Sequence, residues 1–225
     1  MRPNDILNKA DYERPRTLPE FEAWWQDRFE QFGESREGRA FARESKSDLV
    51  KRFHQEAHPM LSYMRHRPPA AATRVQIFTS DGAADAMYLD PNGAVLRKFQ
   101  ITMPMDGRTE KKRMRQLSRV GHVDALADLD DNDEVPETLM AFDKHARMRK
   151  VAERVKEAIE KKSGSNKYND SFTLIVGLED NTYDDEDDSR LFREFIGPFN
   201  HTFREVHVAG ILGRVLLSYP ESSPL

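Results

Sequence analysis

Apolar residues recur along the chain at two spacings, one helical and one strand-like, and the switches between them mark out the elements. Leu18, Phe21, Trp24, Trp25, Phe29 and Phe32 fall at helical intervals behind Thr17, with Glu20 three residues on as in a capping box, so a first helix is predicted to run to Gly33. Leu49, Phe53, Ala57 and Leu61 mark one face of a second helical stretch over 47–64, which Pro59 is predicted to kink or divide. Pro68 and Pro69 stop it. Three short β-like runs follow, Arg74 to Thr79, Ala83 to Leu89 and Val95 to Met103, separated by Ser80-Asp81-Gly82 and Asp90-Pro91-Asn92-Gly93, which predicts an antiparallel meander.

Beyond Gly107 the pattern returns to helix. A basic helix is predicted over 109–120, and a long one over 137–162 carries Leu139, Phe142, Ala146, Val151, Val155 and Ile159 on one side. Phe172 to Leu178 is almost continuously apolar, as a strand covered on both faces must be. A further helix is predicted over 189–203, then strands over 205–209 and 214–219 split by Gly210 and Gly213. There is no internal repeat. The predicted fold is α/β, a mixed central sheet flanked by helices, divided into a helical extension over 1–46 packed on a core domain over 47–225.

Composition narrows the setting. With 38% hydrophobic and 33% charged residues the 225-residue chain can bury a core beneath a generous polar surface. The absence of cysteine excludes disulfides and thiolate metal sites, and it leaves histidine and carboxylate as ligands. No signal-like or membrane-spanning apolar run occurs, so a cytoplasmic protein without a membrane partner is expected. The formal charge of −4 is unevenly spread. Residues 108–119 hold six bases and one acid, so Lys111, Lys112, Arg113 and Arg115 are candidates for phosphate contacts, although such a stripe also serves as a solvent face. The acidic runs over 128–134 and 179–188 read as solvated loops.

Candidate chemistry gathers on the second helix and the meander. Glu56 stands in His54-Gln55-Glu56-Ala57, Asp85 opens the second strand, and Lys98, Gln100 and Thr102 alternate onto one face of the third. The spacing from Asp85 to Gln100 suits two strands meeting side by side. In plainer terms Glu56 is also what a solvated helix face carries, and Gln100 and Thr102 are ordinary on a half-buried strand. His54 and His58 are one turn apart, with His66 two turns further on, but Glu56 comes one place too late for a zinc hydrolase motif. No glycine-rich phosphate loop, dinucleotide fingerprint or nucleophile elbow is present.

The order helix, three-strand meander, helices, buried strand, helix, strand, together with these residues, resembles the PD-(D/E)xK, or restriction-endonuclease-like, nuclease superfamily over roughly residues 48–219. The resemblance implies a restriction-endonuclease-like core in which a helix carboxylate, a strand aspartate and a Glu-x-Lys pair surround one or two divalent cations. Carried onto this chain, it makes Glu56, Asp85 and Gln100 the Mg²⁺ ligands, and Lys98 or Thr102 the group that orients water or phosphate. Mg²⁺ screens a phosphodiester and lowers the pKa of the attacking water. The chain departs from the pattern twice, with a neutral Gln100 at the second carboxylate and Thr102 at the lysine. Lys98, Lys111 or Lys112 are the available substitutes. The expected partner is nucleic acid, and the alternative is a catalytically degenerate scaffold that binds a protein.

Overall fold

The computed structural model describes residues 3–43, 47–80, 82, 84–104, 144–178, 186–213 and 216–219. The fold is mixed α/β. Six strands, β1 (Arg74–Ile77), β2 (Ala86–Leu89), β3 (Val95–Thr102), β4 (Phe172–Leu178), β5 (Glu205–Gly210) and β6 (Leu216–Tyr219), form one sheet in sequence order. The first three are the antiparallel meander, β4 and β5 run parallel to β3, and β6 returns antiparallel.

Parallel pairing needs a crossover on a sheet face, and helices fill that role here. After a 3₁₀ turn over Pro3–Asp5, the helices are α1 (Lys9–Tyr12), α2 (Leu18–Gly33), α3 (Arg36–Arg43), α4 (Asp48–Arg52), α5 (His58–His66), α6 (Lys144–Ser163) and α7 (Glu186–Ile196). One core cluster joins the N-terminal helices and α5 to one face of the sheet through Phe21, Trp24, Phe53, Met60, Phe99 and Ile101. A second joins α6 and α7 to the other face through Met148, Val155, Ile159, Leu174, Val176 and Phe192. Every residue of β4 is buried, as its unbroken apolar sequence requires.

The N-terminal segment is tied to the sheet. Thr17 and Glu20 form the predicted capping box, and α2 ends at Gly33 as expected. Trp24 and Trp25 pack on Phe53 at centroid distances of 5.7 and 5.6 Å. Just before α2, Arg16 bridges Val75 of β1 through two backbone hydrogen bonds, 2.9 Å from its N–H and 2.7 Å to its carbonyl.

Between α4 and α5 the chain widens into a π-helical turn, Phe53–Ala57. Pro59 has no N–H to give the preceding turn, and its ring crowds the carbonyl four residues back. The wider turn, in which the His58 N–H reaches the Phe53 carbonyl, keeps the chain helical through the disturbance instead of dividing it. Pro59 then sits against β4 at Gly177, where an added Cβ would lie 2.6 Å from the proline Cγ.

Several boundaries differ from the expected ones. The strand predicted from Ala83 starts at Ala86, directly after Asp85. The helix predicted over 189–203 runs over Glu186–Ile196, because Gly197 turns the backbone to a φ of 60° and Pro198 follows. The short helices α1 and α3 have no counterpart in the predicted pattern. The basic helix predicted over 109–120 and the first part of the long helix predicted over 137–162 lie outside the described residues, as does the acidic run over 128–134.

Candidate functional site

The register of the meander pairs Ala86 with Phe99, so Asp85 lies opposite Gln100, as the sequence spacing required. The Asp85 N–H donates to the Phe99 carbonyl at 2.9 Å, which fixes the backbone. Oδ2 of Asp85 then accepts from the Ile101 N–H at 2.7 Å and from the side-chain amide of Gln100, itself 4% exposed. A backbone donor and a buried amide thus hold one carboxylate in place at the rim of β2 and β3.

Glu56 approaches from the π turn. Its Oε1 accepts from Arg52 Nη1 at 3.0 Å, while Oε2 is buried with no hydrogen-bond partner among the described residues. Burial pushes the Glu56 carboxyl up to about 7; the Asp85 charge adds to this, and Arg52 opposes it. Lys162, in the last turn of α6, completes the set from the other side of the sheet. Burial lowers its pKa, and the charges of Asp85 and Glu56 resist that fall. Its ammonium also lies 5.6 Å from the centre of the Tyr168 ring. Tyr12 of α1 turns in here too; burial drives its hydroxyl well above its ordinary pKa, with Glu56 the leading charge contribution.

The structure therefore places Gln100 against Asp85 and sets Glu56 near enough for the Asp85 charge to act on it. Thr102 continues the Gln100 face at the end of β3, half-buried and paired with Val176 of β4. Lys98 is directed elsewhere, with its ammonium 5.6 Å from the centre of the Phe172 ring on the neighbouring strand. Lys111, Lys112, Arg113 and Arg115 lie outside the described residues. Sequence reasoning missed Lys162, Arg52 and Tyr12. Arg52 was open to discovery, since it precedes Glu56 by four residues on a helix. Lys162 and Tyr12 reach the site only by tertiary folding, and nothing local marks them.

Beside Glu56 opens a cleft of about 560 Å³ between α1, α4 and the residues after β1, lined by Lys9, Lys51, Arg52, Gln55, Glu56 and Thr79, among others. It is polar throughout its named walls apart from Leu49.

Mg²⁺ is often held by one or two carboxylates, with waters and substrate phosphates completing its shell. Glu56 offers a buried oxygen without a hydrogen-bond partner among the described residues, Asp85 a second carboxylate and Gln100 an amide, so the residues fit one such ion. Among the described residues no three His, Asp or Glu side chains are grouped as a metal site, so the fit depends on Gln100 and on ligands brought by substrate. Lys162 and Arg52 supply positive charge to the same place, which weakens the hold on a cation.

Comparison with family models, curated proteins and solved structures finds no match for this chain. Fold and site together define a mixed α/β protein with a buried, charge-compensated pocket at the junction of a helix, a strand meander and a crossover helix.

Proposed function

We propose that the chain is a nuclease-like protein of the restriction-endonuclease-like kind, one that binds nucleic acid and hydrolyses its phosphodiester backbone when Mg²⁺ is bound. The observation that carries this reading is the hydrogen bond of Gln100 to Asp85, with Glu56 near enough to feel the Asp85 charge and a half-buried lysine, Lys162, near both carboxylates. Glu56 and Asp85 would hold the ion, with the Gln100 amide as a neutral third group. The ion supplies charge screening and an acidified water. Asp85 is preorganised by the Ile101 N–H, so little reorganisation accompanies binding. Lys162 takes the role that the departure at Thr102 leaves open, placing an ammonium where charge develops on the phosphate. Water oxygen bonds to phosphorus as the ester P–O bond breaks; the attacking water gives its proton to solvent, and the departing oxygen takes one from solvent and leaves as an alcohol.

One observation favours a second reading. Gln100 donates to Asp85, and Arg52 and Lys162 offset the two carboxylates, so the pocket is nearly neutral without any metal. That is the arrangement of a scaffold that has lost catalysis and retained the fold for a protein partner.

The deciding experiment incubates the purified protein with labelled single- and double-stranded DNA and RNA, with Mg²⁺, Mn²⁺ or EDTA, beside Asp85→Ala. Metal-dependent cutting that vanishes in the variant is the expected result. Absence of cutting, or equal traces in both proteins, would remove the catalytic reading and leave the scaffold.

A further inference from the structure

We propose that the cleft beside Glu56 seats the sugar-phosphate backbone of a single nucleic-acid strand, so that the protein takes single strands and frayed ends in preference to duplex. The inference rests on the nucleic-acid reading above and adds the substrate form.

The cleft is walled in part by Glu56 and Arg52, which also belong to the carboxylate pocket, so whatever lies in the cleft abuts Glu56. Its cations come from two elements far apart in sequence, Lys9 on α1 and Lys51 with Arg52 on α4, and they outnumber its acids, Asp48 and Glu56. Two of these cations are held loosely or not at all. Lys51 is exposed and makes no ion pair among the described residues. Lys9 reaches Glu13 only at 3.9 Å with its side chain 65% exposed, and that carboxylate is already engaged by the Thr79 N–H at 2.8 Å and by the Thr79 hydroxyl. Such a pair is worth little. Loosely held cations lining one groove are what a polyanionic strand recruits, releasing counterions as it binds.

Size and lining set the form of the ligand. A volume of about 560 Å³ is that of a small-ligand site, enough for about one or two nucleotides and too little for a duplex. No aromatic side chain is among the described residues that line it, so bases find no stacking platform on these walls and recognition falls on the backbone, tolerant of sequence.

The test measures fluorescence anisotropy of a labelled single-stranded oligonucleotide and its matched duplex in EDTA, where cutting is suppressed, for the wild type and the double variant Lys9→Glu/Lys51→Glu. Circular dichroism confirms folding, and Lys9→Gln/Lys51→Gln provides a milder second variant. The wild type should bind the single strand at least about tenfold more tightly than duplex. The charge reversal should lower that affinity at least about tenfold and reduce the salt slope by about 1.4, two contacts at about 0.7 each. Equal affinity for duplex, or unchanged binding in both variants, overturns the cleft. Cutting by the wild type that ignores both variants would remove the cleft while leaving the nuclease. Lysine-dependent binding without any cutting would do the reverse, and absence of binding by the wild type would remove both.

Discussion

At Gln100 the chain places a primary amide where a carboxylate would set a third negative charge against Asp85 and Glu56. The amide can donate to Asp85, and a carboxylate at the same buried position could only repel it. Gln100→Glu should therefore destabilise the metal-free protein at pH 8 by about 2–3 kcal/mol, the cost of an unpaired buried charge after partial relaxation. The same change supplies a hard ligand, so millimolar Mg²⁺ should raise the melting temperature of the variant much more than that of the wild type. Thermal unfolding of both proteins with and without the ion measures this. A variant as stable as the wild type in EDTA would mean that the pocket is wetter than its burial indicates. A polar network of another kind links the distal strands: His207 on β5 lies 2.8 Å from Ser218 Oγ and 3.0 Å from Glu205 Oε2, and Glu205 in turn pairs with Arg97 at 3.1 Å.

Among the elements, the contact between α5 and β4 depends on one missing methyl group. A Cβ at Gly177 would come within 2.4 Å of Met103 Sδ and 2.6 Å of Pro59 Cγ. The thioether can swing away, but the proline ring is fixed by the turn behind it, so Gly177→Ala should cost about 1–3 kcal/mol. Because Pro59 follows the π turn that carries Glu56, the strain should also disturb the pocket. Urea unfolding together with the cleavage assay would show both losses in one variant.

This contact also shows where the sequence was readable. The capping residues Thr17 and Glu20 and the apolar run 172–178 announce themselves locally, and each stands where it was expected, whereas β3 buries Phe99, Gln100 and Ile101 in succession instead of alternating. The opposition of Asp85 and Gln100 follows from counting residues through a hairpin. The π turn was hidden, because its cause, Pro59, signals only a disturbance and not how the helix absorbs it. Lys162 was hidden for a different reason. On its own helix it is one of two adjacent lysines in the last turn, and only the crossover between β3 and β4 carries it to Asp85. The direction of Lys98 was likewise set by a neighbour, Phe172, that is 74 places away in sequence but adjacent in the parallel register.

For the molecule as a whole, burial makes stability depend on acid. His54, His58 and His207 each have a pKa lowered to about 4, burial being the leading cause, against an ordinary 6.5 when unfolded. A group depressed in this way contributes its stability above pH 6.5 and loses it as pH falls towards 4. Glu56 acts in the opposite sense. Raised to about 7 from 4.5, it favours the fold most in acid, and that contribution is lost as pH rises through 7. Between pH 6.5 and 4.5 both act, and three histidines outweigh one carboxyl. The unfolding free energy from urea titration should therefore fall from pH 7 to pH 5, by about 1–2 kcal/mol for each histidine before the offset from Glu56. His54→Phe should flatten this slope by one such step, and an unchanged slope would place His54 in contact with water.

The bridge between Arg16 and Val75 has a bearing on how copies of the chain meet one another. A short outer strand with open amide and carbonyl groups is an invitation to any extended peptide, including a twin of itself, to add another rung. Here the middle of β1 is already engaged by the segment leading from α1 to α2, with Trp24 stacked under the Arg16 guanidinium at 4.5 Å to hold it there. The stretch that brings Lys9 to the cleft is thus also the selvedge of the sheet, and a molecule trimmed of it would lose a wall of its pocket and gain an adhesive border in the same cut.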